Sequence, residues 1–297
     1  MTTVTEEFQF LPQDAALVSR SAHLPHVRRK NATVGGLNIS TLHWTNEPPQ
    51  YTFLHGAGLN AHTWDATILG LNRPALAVDL PGHGDSDWRE DADYRPITNA
   101  AAIGGVLDQL TSGPQILVGQ SLGGLSAIAA AHRQPQQVRS LVLVDITPGV
   151  QIDPKAPNPV KDFLAGPRQY PSREAIVERA LTFGFGPDRE AVARGVYLNT
   201  RVTPDGQVEF KHHLAHLDLF KLPTHDPLDL WASLQDLTIP VALVYGTQGF
   251  LNSSHLTEFQ RYLPDAALYP IKGGHNLQED TPSALTQALK DIERSAL

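Results

Sequence analysis

The chain is predicted to fold as an α/β protein: a mostly parallel central sheet with helices on both faces and an inserted, mainly helical cap. Three observations predict it. Short apolar runs alternate with helical patterns along most of the sequence. Those runs are unbroken stretches of Val, Leu, Ile and Ala, as strands buried on both faces should be. The alternation lapses between about Pro148 and Pro240 and resumes at Val241, which marks an insertion between two parallel strands.

Taken in order, the segment before Tyr51 reads as an N-terminal extension and an antiparallel lead-in, with Leu37–Trp44 as a strand after a Gly35-Gly36 turn. Strands follow at Tyr51–Leu54, Ala75–Leu80, Gln115–Gly119, Val138–Asp145, Val241–Tyr245 and Ala267–Ile271. Helices fit Ala61–Leu71, Thr98–Leu110 and Leu122–His132, and Thr281-Pro282 opens a last one, with Thr as N-cap and Pro at the first helical position. Inside the insertion, Arg173–Phe183 and Arg189–Tyr197 read as helices and Pro204-Asp205-Gly206 as a hairpin turn. The expected division is a core of residues 1–148 and 240–297 and a cap of residues 149–239.

The 297 residues are enough for one large core with a modest appended lobe. A composition 41% hydrophobic and 18% charged is globular rather than disordered. The net charge of -8 argues against nucleic-acid binding, which needs clustered Lys and Arg. The one compact basic cluster, Arg28-Arg29-Lys30, is read as a solvated strand end. Absence of cysteine excludes disulfides, thiol nucleophiles and thiolate metal sites. The N-terminus carries acids where a signal peptide needs a basic region, and no run of about 18 apolar residues occurs. A cytoplasmic protein without a membrane partner is the expectation.

Ile116-Leu117-Val118-Gly119-Gln120-Ser121-Leu122-Gly123-Gly124 runs from a buried strand into a helix through G-x-S-x-G. A Ser on so sharp a strand-to-helix turn needs small neighbours on either side, and its hydroxyl then stands at the sheet's C-terminal edge. A Gly-rich turn with an incidental Ser is the plain alternative; the strand–turn–helix setting decides against it. The Leu122 N–H, at a helix N-terminus, is placed to stabilise an oxyanion. Leu54-His55-Gly56-Ala57-Gly58 follows an earlier strand, and its Ala57 N–H is the candidate second donor, with Gly58 beside it.

For the base, His275 stands in the loop after the last strand, behind Gly273-Gly274, where the chain opens onto the same sheet edge. Imidazole suits the task because it titrates near neutrality. His212 and His216 share the i, i+4 spacing that metals use, but no H-E-x-x-H arrangement accompanies them, and no metal site is expected.

These motifs, together with Asp79-Leu80-Pro81-Gly82-His83-Gly84-Asp85-Ser86, Asp145-Ile146-Thr147-Pro148 and Asp280-x-Pro282, resemble the α/β-hydrolase superfamily, in its capped branch, over nearly the whole chain. Asp145 to Gly149 and Arg194 to Asn199 look most like a bacterial, actinobacterial-type esterase subgroup. The resemblance implies structural roles for His55 and His83. In many relatives the triad acid follows the strand that corresponds to Val241–Tyr245; here that loop, Gly246 to Asn252, has no carboxylate. Asp145 is the candidate instead. It ends the strand expected beside that of Ser121, about 4.8 Å away, and some relatives in the subgroup place their acid there. The competing reading of Asp145 is a cap for the Thr147-Pro148 turn. Asp79 is the runner-up acid, in a context that reads as loop-shaping.

The expected activity is two-step hydrolysis of carboxylic esters of small to medium acyl chain, without cofactor or metal. Gly58, Phe250 and Trp231 are expected to border the substrate. Phe163, Phe183, Phe185, Tyr197, Phe220 and Trp231 offer an apolar roof, although for any one of them packing is the plainer reading. Arg201 either reads a substrate carboxylate or is structural. Carbon–carbon bond hydrolysis, lactone opening and cofactor-free perhydrolysis use the same triad, and a ligand-sensing homologue with little turnover uses the same pocket. Epoxide hydrolase and dehalogenase readings fail, because they require Asp where this chain has Ser121. The partner expected is a small ester, with the protein a monomer or homodimer.

Overall fold

Strands with two buried faces need a layer on each side, and the chain supplies both. The computed structural model describes residues 6–20, 23–150, 162–163, 165–186, 188–218, 222–223 and 226–295. Helix α1 (Leu11–Leu17) precedes a hairpin of β1 (Val27–Val34) and β2 (Leu37–Trp44), joined through Gly35 and Gly36. Then come β3 (Tyr51–Leu54), α2 (Asp65–Leu71), β4 (Ala75–Val78), α3 (Pro96–Leu110), β5 (Gln115–Gln120), α4 (Leu122–Arg133) and β6 (Val138–Val144). The insertion holds α5 (Arg173–Thr182), α6 (Arg189–Asn199), the hairpin β7 (Thr200–Val202) and β8 (Val208–Phe210), and α7 (Pro227–Gln235). The chain closes with β9 (Val241–Gly246), α8 (Ser253–Tyr262), β10 (Ala267–Ile271), α9 (Leu277–Asp280) and α10 (Pro282–Ser295).

The eight-stranded sheet has the order β1-β2-β4-β3-β5-β6-β9-β10. Pairings from β4 onward are parallel, and β2 runs antiparallel to both of its neighbours. From β3 the chain first moves outward to β4 and then returns to place β5 on the other side of β3. At such a reversal the loops leaving the C-terminal ends of adjacent strands diverge, and a crevice opens between them. Here those loops are the ones after β3 and β5, which carry Ala57 and Ser121.

Side-chain alternation sorts the core. Leu117, Leu141, Leu143 and Leu243 face the layer containing α3 and α4. Ile116, Val118, Val142, Val144, Ala242 and Val244 face α1, α2 and α10. The insertion has an apolar cluster of its own, built on Tyr170, Ile176, Val177, Val192, Val196, Val208 and Phe210, with Phe163 and Phe185 against it. Its last helix, α7, joins the main layer through Leu230, Trp231 and Leu234. Gly206, at φ +82°, makes the expected turn between β7 and β8. Among the described residues no helix is long and apolar enough to cross a membrane.

The structure corrects the reading of Arg28-Arg29-Lys30 as solvated. These residues lie in β1, and the Arg29 guanidinium is drawn inward to Glu7, Asp79 and Asp85 at 2.5, 2.8 and 3.0 Å. Asp79 is fully buried and needs a cation. A neighbouring group joins the N-terminal arm to the insertion. Arg194 of α6 pairs with Asp14 at 2.8 Å and Asp65 at 3.2 Å, and His62 bonds Asp65 at 2.8 Å and Glu7 at 3.0 Å.

Burial opposes a charge on His62, but Asp65 and Glu7 outweigh it and push its pKa up to about 9. Because the folded chain holds this proton more tightly, the contribution is complete below pH 6.5 and lost as pH rises to about 9. Asp14, which burial pushes up to about 6, titrates below that window. Urea midpoints are expected to fall across it, and His62→Gln to flatten the slope. Parallel slopes in the two proteins would refute the ion-pair account.

Candidate active site

The elbow is strained in the way its sequence anticipates. Ser121 adopts φ 52° and ψ -121°, outside the regions that L-residues favour. Its peptide N–H still reaches the Val144 carbonyl at 3.4 Å, and its carbonyl accepts from Leu125 at 3.0 Å, so strand and helix both hold the bend. The following glycines are steric necessities: a Cβ on Gly123 would run into the main-chain oxygens of Leu54 and His55. The Ser121 hydroxyl makes no cap bond to α4, which leaves it available for chemistry.

Register places Asp145. Gln120 is opposite Val144, so the next residues on the two strands, Ser121 and Asp145, leave the sheet side by side. Asp145 also has a positive φ, 49°, and a fully buried side chain. Its carboxylate accepts from the N–H of Gly246 at 3.0 Å, the N–H of Phe250 at 2.8 Å and Nδ1 of His275 at 2.8 Å. The loop that lacks a carboxylate of its own thus folds over Asp145. Gly249 makes that approach possible, since a Cβ there would overlap the carboxylate.

His275 is held from three sides. Nδ1 bonds Asp145, and the Phe250 ring lies flat on the imidazole, with centroids 3.6 Å apart and planes 10° apart. From below, the buried Gln120 amide donates to the His275 carbonyl at 3.3 Å and to Asn276 Oδ1 at 3.2 Å. Gln120, the residue before Ser121, was not singled out from the sequence. Only its placement under the histidine loop reveals its part.

The loop after β3 lies against the elbow, the Cβ position of Gly56 being 3.2 Å from Ser121 Cβ. Its His55 ring accepts from the Leu80 N–H at 3.0 Å through Nε2, which makes Nδ1 the protonated nitrogen, donating to the Gly56 carbonyl at 2.8 Å. Burial lowers the His55 pKa and keeps the ring neutral. The Ala57 and Leu122 N–H groups have no main-chain acceptor among the described residues. Both remain unspent at the mouth of the crevice.

Other expectations fall into place as packing. Asp79 accepts from Ala61 at 2.7 Å, Asp85 at 3.0 Å and Arg29 at 2.8 Å, with no bond to His275, and so organises the loop rather than the base. Its burial raises the pKa, and Arg29 with these N–H donors more than reverses the effect. Trp231 is 2% exposed, with its ring stacked on Tyr262 at 4.3 Å. Arg201 pairs with Glu209 at 2.8 Å and covers the Trp88 ring. Phe163, Phe183 and Phe185 pack on one another, Tyr197 packs on Phe10, and Phe220 lies outside the described residues. His212 accepts from the Ala215 N–H as a helix cap, and no group of three metal-capable side chains occurs among the described residues.

Comparison with known proteins agrees with this architecture. Residues 53–288 match the alpha/beta hydrolase family, and the chain belongs to it. The esterase Rv0045c of Mycobacterium tuberculosis is 36% identical over 300 residues, covering 98% of this chain and 96% of that protein. Its crystal structure superposes with a TM-score of 0.85, at 34% identity, over 99% of this chain and 100% of that one. A mouse sn-1-specific diacylglycerol lipase, ABHD11, is 27% identical over 81% of this chain and 80% of its own.

The seating of Asp145 against Gly249 is open to test. Gly249→Ala is expected to push the carboxylate off His275 and lower kcat/KM on an aryl ester roughly a hundredfold, with the far-ultraviolet circular dichroism unchanged. Full activity in the variant would show that the contact does not matter.

Proposed function

We propose that the protein hydrolyses carboxylic esters of small to medium acyl chain through an acyl-enzyme on Ser121, with His275 as base and Asp145 as its orienting acid. The single observation that carries the reading is the 2.8 Å bond from His275 Nδ1 to Asp145, formed where the strained Ser121 elbow meets the end of β6. With Nδ1–H committed to the carboxylate, Nε2 is the nitrogen left to accept the Ser121 proton. Ser121 Oγ then attacks the ester carbonyl, and the Ala57 and Leu122 N–H groups receive the oxyanion. The imidazolium returns its proton to the departing alcohol, water repeats the sequence on the acyl-enzyme, and the carboxylic acid leaves. No step calls on a metal or a cofactor.

Phe250 has two duties in this scheme. Its N–H holds Asp145, and its ring, 40% exposed, backs the imidazole while offering an apolar edge to the acyl group. Gly58 borders the same crevice, whereas Trp231 packs on Tyr262 in the core. The part of the insertion before α7, which has an apolar cluster of its own, acts as the cap that encloses the substrate, with the mycobacterial esterase as the relative whose named activity supports the class.

Ser121→Ala is expected to abolish turnover of p-nitrophenyl esters without shifting the melting midpoint, and a series of such esters to show rates falling as the acyl chain passes medium length. Undiminished turnover in the variant would remove Ser121 from the mechanism. Asp145→Asn is expected to cost on the order of a thousandfold or more in kcat through the wrong imidazole tautomer. Asp79→Asn should instead lower the urea midpoint and leave most of kcat. The reverse ranking would move the acid to Asp79.

A further inference from the structure

The loop that carries Ala57 is held partly from outside the core. Asn199, the last residue of α6 in the insertion, donates from Nδ2 to the Gly58 carbonyl. Its own Oδ1 accepts from Asn60 Nδ2 at 3.1 Å, and the same amide nitrogen reaches the Leu198 carbonyl at 3.2 Å. Asn60 Oδ1 meanwhile caps the turn that follows, accepting from His62 at 2.9 Å. Two asparagine amides therefore interlock the C-terminal end of α6 with the segment from Gly58 to His62.

Peptide planarity carries this restraint to the oxyanion donor. In a trans peptide the C=O and the next N–H point in opposite directions. Anchoring the Gly58 carbonyl on Asn199 therefore aims the Leu59 N–H the other way, and it closes on the Gly56 carbonyl at 3.2 Å. His55 Nδ1–H holds that carbonyl as well, at 2.8 Å. Fixing the Gly56 carbonyl fixes in turn the opposite end of its peptide, which is the Ala57 N–H. Gly58, at φ +77°, permits the reversal that brings these groups together.

The far end of the restraint is firm. Val196 seats α6 in the insertion's own apolar cluster, and Arg194 pins the helix to the N-terminal arm and the core, reaching Asp14, the His62 carbonyl and Asp65 at 2.8, 3.2 and 3.2 Å. The Asn199 carbonyl accepts from the Lys211 N–H at 2.9 Å, which ties the residue to the end of β8, across the hairpin. Asn199 is thus placed by the insertion and by the N-terminal arm, while the group it orients lies in the core.

We infer that Asn199 is a positioning residue for the oxyanion loop, acting through the Gly58 carbonyl on the direction of the Ala57 N–H. The inference rests on the esterase reading of the same site. It means that the insertion contributes to transition-state stabilisation as well as to enclosure, because a donor aimed in advance at the oxyanion acts on the transition state more than on the bound ester.

The test compares Asn199→Asp, which keeps the acceptor for Asn60 and loses the donor to Gly58, with Asn199→Ala. Gln13→Ala is the control, since it removes the exposed Gln13–Glu190 bond to α6 at 3.1 Å and leaves the loop alone. Both Asn199 variants are expected to lose about 10- to 100-fold in kcat on p-nitrophenyl butyrate, with KM within about twofold. Their affinity for an aryl trifluoromethyl ketone, which forms a tetrahedral adduct on the serine, should fall by the same factor, and Gln13→Ala should change neither. Unaltered kcat and ketone affinity, or losses that track a lowered melting midpoint and a raised KM, would overturn the inference. Amide hydrogen exchange at Leu59 separates it from the esterase reading: faster exchange in Asn199→Asp supports the coupling and equal exchange overturns it, even if the wild-type protein turned over no ester.

Discussion

Parallel pairing of β5 with β3 on one side and β6 on the other is the constraint on which the site depends. Parallel neighbours present their C-terminal ends at one edge of the sheet. The loops after β3, β5 and β6 therefore open together, and these supply Ala57, Ser121 and Asp145. His275 arrives from β10, two strands beyond β6, and needs a longer loop to reach the same edge. Anything that shifted β5 by a single residue would turn the elbow inward, because strand side chains alternate faces.

The sheet's precision is maintained by groups that are costly to bury. Ser121 and Asp145 both sit at positive φ, a backbone cost of order 1–3 kcal/mol each that surrounding structure must offset. Main-chain bonds to β6 and β9 hold the two bends, and close backbone contacts around Gly123 leave the elbow little room to relax. Behind the loop after β4, Asp79 is buried whole and is satisfied by two N–H groups and Arg29. That carboxylate joins the first strand of the sheet to the turn after the Ala57 loop, and so governs the shape of the crevice.

In the proposed mechanism, the place of Asp145 shows how the same chemistry tolerates a different supplier. A carboxylate at the end of β6 reaches the imidazole as readily as one in the loop after β9, since the strands are neighbours. Moving the charge to Asp145 leaves the β9 loop free to serve as its cradle. Gly246 and Phe250 then contribute N–H donors, and Gly249 contributes the absence of a side chain. Phe250 completes the arrangement by stacking on the ring whose tautomer the carboxylate sets.

Local patterns were enough to read most core strands and helices, the sharp bend at Ser121 and the sheet edge at which Asp145 and His275 emerge, because each is written in a few consecutive residues with a definite steric meaning. Hydrophobic runs mark strands whatever they pair with, and G-x-S-x-G marks a bend wherever it occurs. What the sequence did not disclose are relations between distant segments. Arg29 read as solvated until Asp79 and Glu7 were seen around it, Trp231 read as substrate-facing until Tyr262 covered it, and nothing in the chain announced Gln120 under His275 or Asn199 against Gly58. Contacts such as the last, separated by 141 positions, carry no periodic signature. Only the packing of the insertion onto the sheet edge decides them, since a hydrogen bond's direction is set by where two backbones finally lie rather than by either segment alone.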